Sequence, residues 1–351
     1  MAVRELIGVV MVLVAAAPAA AAELCAGTGG EPPQITELAD PRFTFPTGIT
    51  TAPDGAIWVA STLADQLVRV EPVSRRSSAV RLPLRSHPVG LAADAEGRIW
   101  FAASGVGLLG RLTPGAARAA EFPPASLLQK PVSLPFVSAV ALDRRGGNAW
   151  FTVGPEAVVA SVPIASEHLR RGAVGREVTF GPRRSRPQAL AVDADGAVWV
   201  AGLADDALTR IGPDGGIRRV GLPAGSRPRG VAVAPDGDVW VTLFGSHRLL
   251  RVERASGETQ SWAMPSGARS NPWAIAVDAA GGVWTSEFTA NTVTCFDPRR
   301  ARFATWSVPT RGAGVRALAV DAVGRAWFVG SHSGRLGLVA PPLPRDRMGA
   351  R

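Results

Sequence analysis

The sequence predicts an all-β chain folded as a seven-bladed β-propeller, with four-stranded blades and a ring closed by an N-terminal strand that completes the last blade. Three observations predict it. A tryptophan behind an Asp- and Gly-rich turn recurs at Trp58, Trp100, Trp150, Trp199, Trp240, Trp284 and Trp327, at intervals of 42, 50, 49, 41, 44 and 43 residues. A period in the forties built from short strands is the signature of propeller blades. Each copy but the last also holds four apolar runs alternating with period two, bounded by Gly, Pro, Asp and Asn, and no sustained helical period interrupts them. Finally, the two chain ends complement each other: the last copy has only three runs, and an isolated run precedes the first copy.

Taken in order along the chain, residues 1–22 (MAVRELIGVVMVLVAAAPAAAA) offer a charged start, an apolar stretch and small residues before an expected cut after Ala22. That is the pattern of a secretory signal rather than a membrane span, so the expected location is periplasmic or secreted. Residues 23–33 read as a flexible leader containing Cys25, and Glu23 and Leu24 before it depart from the small-residue pattern of a lipidation site. The chain has two cysteines, Cys25 and Cys295. In an oxidising compartment they can pair, but the favoured reading leaves them free, Cys295 as a small apolar strand residue and Cys25 in the leader.

The propeller spans residues 34–340. ITELADP, from Ile35 to Pro41, reads as a fourth strand paired into the last blade, which removes the free sheet edges. Each blade then follows one pattern: a first run such as AIAVD, a tight turn, a second run carrying the tryptophan, a third such as TVTCF or LLRVE, and a fourth such as RRVGLP. The seven tryptophans read as packing residues between neighbouring sheets, as do Trp262 and Trp306 on fourth strands. GVGLLG, from Gly105 to Gly110, matches a dinucleotide pattern but has no helix after it, and DADG at Asp193 to Gly196 is a hairpin turn rather than a calcium loop. Residues 341–351 form a basic tail. With 351 residues and 46% hydrophobic content, the chain can bury the core of one large domain, expected to be a monomer.

The net charge is +9, and removal of the signal leaves it unchanged because Arg4 and Glu5 go together. Export sets nucleic acid aside as the partner of this charge. An anionic or ester-containing small molecule, or a periplasmic protein, takes its place.

Topology locates the candidate site. In an up-and-down blade the loop entering the first strand and the loop joining the second strand to the third share one face, around the channel mouth. The entering loops supply Arg42, Arg85, His87, Lys130, Arg183, Arg184, Arg186, Arg227, Arg229, Asn271, Trp273, Arg311 and Arg316; the other loops supply Asp65, Glu156, Asp206, His247, Glu287, Asn291 and His332. Two residues of the sixth blade break the repeat. Trp273 stands where other copies have Thr47, Val89, Gln188, Arg229 and Arg316, and Glu287 stands where they have Ser61, Ala103, Val153, Gly202, Leu243 and Gly330. A carboxylate among arginines is either an ion-pair partner or a catalytic base or metal ligand, and Glu287 is expected to point into the mouth.

The repeats with PxG or PxA before the first strand, the DG turn, the W[FVT] and xE after it, and xNxVxxFDP together resemble the virginiamycin B lyase (streptogramin lyase) family over roughly residues 34–340. The resemblance implies a metal-dependent seven-bladed propeller that opens a cyclic depsipeptide by elimination of an ester C–O bond. It implies a carbon–oxygen lyase with Glu287 as catalytic residue, and Mg2+ held by Glu287 and Asn291. Trp273, Arg229, Arg316, Asn271 and His332 are then the expected substrate-binding residues. The family's catalytic histidines follow the proline of the entering loop, where this chain has Arg227-Pro228-Arg229 and Asn271-Pro272-Trp273. No copy carries a histidine there, so the antibiotic-opening activity lacks its family residues. Beside the lyase stand a non-catalytic propeller that binds an anionic ligand or protein, and, with less support, a gluconolactonase-like hydrolase with Glu287, Asn271 and Asn291 as oxygen ligands.

Overall fold

A computed structural model describes residues 25, 34–116, 118–122, 137–143, 147–154, 157–165, 175–181 and 185–340. The strands form seven separate four-stranded antiparallel sheets, each in chain order from the channel outward, with one exception in the last blade. There Val315–Val320, Ala326–Gly330 and Arg335–Ala340 are joined by Gln34–Ala39, whose register places Gln34 opposite Ala340 and Ala39 opposite Arg335. The expected N-to-C closure is therefore present. The signal (residues 1–22) and the basic tail (341–351) lie outside the described residues, as does the leader apart from Cys25. Among the described residues no helix is long and apolar enough to cross a membrane.

The repeat has a physical cause. In four blades the turn aspartate accepts the indole N–H of the tryptophan six residues on: Asp94 from Trp100 (2.9 Å), Asp193 from Trp199 (3.0 Å), Asp278 from Trp284 (2.9 Å) and Asp321 from Trp327 (2.8 Å). The other oxygen of Asp278 accepts the turn amides of Ala280 and Gly282. One carboxylate thus closes the hairpin and satisfies a buried indole, which also explains why DADG is a turn. Trp262 and Trp306 stack on Trp240 and Trp284, each with centroids 5.5 Å apart.

The inner strands abut around a narrow channel. At one register each blade has a small residue, the third of the inner strand at Gly48, Gly90, Ala189, Gly230, Ala274 and Ala317 and the residue just before it at Ala139. A Cβ on Gly48 would fall 2.1 Å from the Val89 carbonyl oxygen of the next blade, and one on Gly230 would fall 2.9 Å from that of Trp273. The preceding residue, free of this constraint, carries the variable side chain of the channel.

One expectation is overturned. Cys25 and Cys295 form a disulfide, their Cα atoms 5.2 Å apart across a sequence separation of 270. Cys295 lies in the third strand of the sixth blade, Thr292–Asp297, within the apolar cluster that joins this blade to the seventh. The closing strand occupies the outer edge of the seventh blade, so Cys25, nine residues before it, reaches back to the sixth. Gly282 makes room: a Cβ there would meet the Cys25 sulfur at 3.0 Å.

Candidate functional site

The entry to each blade is built by an unusual backbone turn. The residue before the inner strand has positive φ at Phe45 (51°), His87 (42°), Arg186 (50°), Arg227 (48°), Asn271 (42°) and Gly314 (67°). Five of these precede a proline, which ordinarily holds its neighbour in extended conformations, so the surrounding structure must impose the turn. The turn carries the chain from the rim into the channel and aims the residue two positions on at its centre.

The acidic and amide residues of the facing loops supply that constraint. Asp65 accepts the backbone N–H groups of Arg85 and His87, each at 2.8 Å. Asp206 does the same for Gly225 (2.7 Å) and Arg227 (2.6 Å). Asn291 accepts the Ala313 N–H and donates to the carbonyls of Val308 and Thr310. These side chains expected at the mouth therefore brace the entering loops.

Glu287 belongs to the same set. It is 0% exposed. Its carboxylate accepts the Ser266 backbone N–H (3.0 Å) and the hydroxyls of Thr292 (3.0 Å) and Thr294 (2.9 Å). It is directed into its own blade and is absent from the lining of the channel, contrary to the expectation that it points into the mouth. Asn271 accepts from the Thr289 hydroxyl and donates to the Phe244 carbonyl. Glu287, Asn271 and Asn291 thus turn their oxygens to protein donors. Among the described residues no three His, Cys, Asp or Glu side chains come together as a metal site. This donor set does not fit Mg2+, and no chemical step is routed through it.

What the structure does bring together is Arg229, Trp273, Arg316 and His332. The channel mouth is a cavity of about 320 Å³ lined by Thr47, Val89, Ser138, Gln188, Arg229, Trp273 and Arg316, one from each of the seven blades. The Arg229 guanidinium carbon lies 3.2 Å from the Trp273 ring centroid and that of Arg316 4.7 Å from it. Phe288 stacks on the same indole at 4.7 Å, and Phe244 meets it edge-on at 5.7 Å. Trp273, expected to bind substrate, is thus already in contact with protein groups and holds two cations. Phe45 lies 5.2 Å from Arg316, and His332 Nε2 lies 3.4 Å from an Arg316 nitrogen.

Phe45, Phe244 and Phe288 were missed in the sequence. Phe244 and Phe288 follow the second strand directly, where other blades have Thr62, Ser104, Gly154, Leu203 and Ser331. The register comparison that isolates Glu287 also isolates them one position further along. Lys130, Glu156, Arg183 and Arg184 lie outside the described residues.

The electrostatics of the mouth are one-sided. The Nε atoms of Arg229 and Arg316 are buried without a hydrogen-bond partner. Among the described residues no carboxylate is within ion-pair distance of Arg186, Arg227, Arg229 or Arg316, whereas arginines elsewhere, such as Arg98, Arg251 and Arg325, are paired. Burial, followed by the charges of Arg316, Arg227 and Arg186, lowers the Arg229 pKa to about 9. Burial also lowers that of Arg316.

Fold and mouth together define a seven-bladed propeller with a cationic, aromatic-lined channel entrance. Residues 139–342 match the profile of the Virginiamycin B lyase family, and the chain belongs to that family. Among solved structures it is similar to a streptogramin B lyase (20% identity, TM-score 0.77), covering 87% of this chain and 97% of that one. A virginiamycin B lyase from Staphylococcus aureus gives 20% identity and a TM-score of 0.77, over 88% and 99% of the respective chains. The hydrazine synthase of Kuenenia stuttgartiensis is similar at 13% identity and a TM-score of 0.69, over 88% and 98%. At these identities the likeness concerns the fold. No curated protein matches the chain.

Proposed function

We propose that the channel mouth binds an anionic, carboxylate-bearing small molecule between Arg229 and Arg316. One observation carries this reading: two guanidiniums share one indole in a semi-enclosed cavity, with buried Nε donors and no protein anion to neutralise them. Such an arrangement disfavours folding unless its charges are used, because buried donors and like charges are both unfavourable. Export belongs to the same proposal, since the Cys25–Cys295 disulfide suits an oxidising compartment, and so does a monomer, since closed blades leave only short edges.

Calorimetry with acetate, hexanoate and inorganic phosphate tests it. Arg316→Ala is expected to weaken binding by about 10- to 150-fold, the equivalent of about 1.5–3 kcal/mol for a charge-assisted contact. Because Arg229 must be protonated to hold an anion, affinity is also expected to fall as pH rises through about 9. If none of these anions binds the folded protein, or if Arg316→Ala binds them equally well, the reading fails.

Family membership favours a second reading, elimination at the C–O bond of an ester or cyclic depsipeptide. The arginines would then hold the developing carboxylate, and His332, beside Arg316, would accept the proton. Incubation with cyclic depsipeptides and lactones, followed by chromatography of ring-opened products, tests this reading. Activity unchanged in His332→Ala would remove His332 from it.

A further inference from the structure

We infer that the ligand of the mouth is a small dianion, with one anionic group between Arg229 and Arg316 and a second at the rim, held by Arg186 and Arg227. This rests on the reading of the mouth as an anion site and specifies its ligand.

The first position follows from shared geometry. Both guanidinium carbons lie within 4.7 Å of the Trp273 centroid, so a single carboxylate, with its two oxygens, can meet both. Neither Nε donor has a competing partner.

The second position follows from charge. Besides burial, the groups that act on Arg229 are Arg316, Arg227 and Arg186, all cations. Arg186 and Arg227 stand on the entering loops of neighbouring blades, two positions before the lining residues Gln188 and Arg229, and no carboxylate is an ion-pair partner of these arginines among the described residues. Asp206, the acid beside Arg227, is bound to backbone N–H groups, and Asp205 is bound to Arg219 and the Ser185 hydroxyl. One anion in the channel leaves Arg186 and Arg227 at the rim without an ion-pair partner among the described residues.

The rim pair is also placed by construction. Arg186 and Arg227 are the exposed residues at the left-handed turns of the fourth and fifth blades, two positions before Gln188 and Arg229 of the lining. The entering loop of the fifth blade thus presents one arginine at the rim, Arg227, and one below it in the channel, Arg229. A cavity of about 320 Å³ is near the lower end of ligand pockets and suits a small molecule rather than a chain segment. Both dicarboxylates and carboxylate–phosphate compounds have the required chemistry.

The test compares dianions with monoanions of equal length. Isothermal titrations use malonate, succinate, glutarate, adipate and pimelate, each against its monomethyl ester, with phosphoglycolate as the phosphate-bearing probe. At least one diacid is expected to bind about 10-fold or more tightly than its monoester, with the advantage falling as salt rises. A further gain for phosphoglycolate over succinate, the diacid of matching length, assigns the rim group as phosphate; the reverse assigns carboxylate.

The double variant Arg186→Asn with Arg227→Asn removes the rim charges while keeping residues that tolerate positive φ. It is expected to reduce the dianion advantage to below about threefold, with a thermal melt confirming the fold. Equal binding of diacid and monoester throughout the series overturns the dianion inference but leaves the anion site standing. An advantage that survives the double variant overturns the assignment to Arg186 and Arg227. Absence of binding by every probe overturns both the inference and the reading beneath it.

Discussion

Glu287 and Trp273 both break the blade pattern, yet their side chains have opposite fates. Trp273 follows the proline of an inner strand, a position that in every blade lines the channel. Glu287 ends a second strand whose five residues are all buried, and three donors surround its carboxylate. Glu287→Gln replaces one acceptor oxygen by an amide that faces a donor. It is expected to lower stability by about 2 kcal/mol, read as a reduced melting temperature, while anion binding at the mouth persists. A variant of unchanged stability that loses turnover would return Glu287 to the chemistry. The sequence locates both exceptions because each is a departure from a register. It does not separate them, because an unusual polar residue interrupts a repeat equally whether it serves a ligand or braces a loop. The aromatic contacts of Phe45, Phe244 and Phe288 escaped for a related reason: Phe244 and Phe288 meet Trp273 while Phe45 meets Arg316, and only the folded ring brings these side chains of the fifth, sixth and first blades together.

The inner strand shows how far local pattern determines an element. Its proline, its variable channel residue and its small third residue recur along the chain, so its position and facing were legible. The reason for the small residue was not, since it depends on the carbonyl of the adjacent blade. Gly48→Ala places a Cβ 2.1 Å from the Val89 oxygen, a contact that backbone movement alone can relieve. The expected loss is about 1–3 kcal/mol by denaturant titration. Gly221→Ala, on the outer strand Ile217–Gly221 with no atom within 4 Å of the added Cβ, is the control and should change stability by less than about 0.5 kcal/mol. Equal effects at the two positions would show that the inner strands do not abut as described. The braces of the entering loops, Asp65, Asp206 and Asn291, were legible as mouth residues but not as braces, because their partners are backbone groups that carry no sequence signature.

At the scale of the whole ring, closure uses two devices of different visibility. The strand Gln34–Ala39 supplies the missing fourth strand of the last blade, a count that can be made on the sequence. The disulfide ties the chain before that strand to the neighbouring sixth blade, and nothing in the spacing of two cysteines 270 residues apart reveals it. The two act in series. The ladder fixes the closing strand to the seventh blade, and the disulfide prevents its N-terminal end from leaving the sixth, so the ring cannot open at the closing strand without breaking both. Because the cross-link encloses nearly the whole propeller, it restricts the unfolded chain strongly, and its removal is expected to lower stability by about 2–5 kcal/mol. Cys25→Ala with Cys295→Ala should therefore fold into the same propeller, melt at a lower temperature and match the wild type melted under reducing conditions. Its mouth should bind anions as before, since the bond sits beside the hairpin turn at Gly282, away from Arg229 and Arg316. Intact-mass measurement gives the direct check: the native chain should be lighter than the reduced chain by two hydrogens. A native mass equal to the reduced mass, or a double variant as stable as wild type, would leave the closing strand as the only device holding the ring.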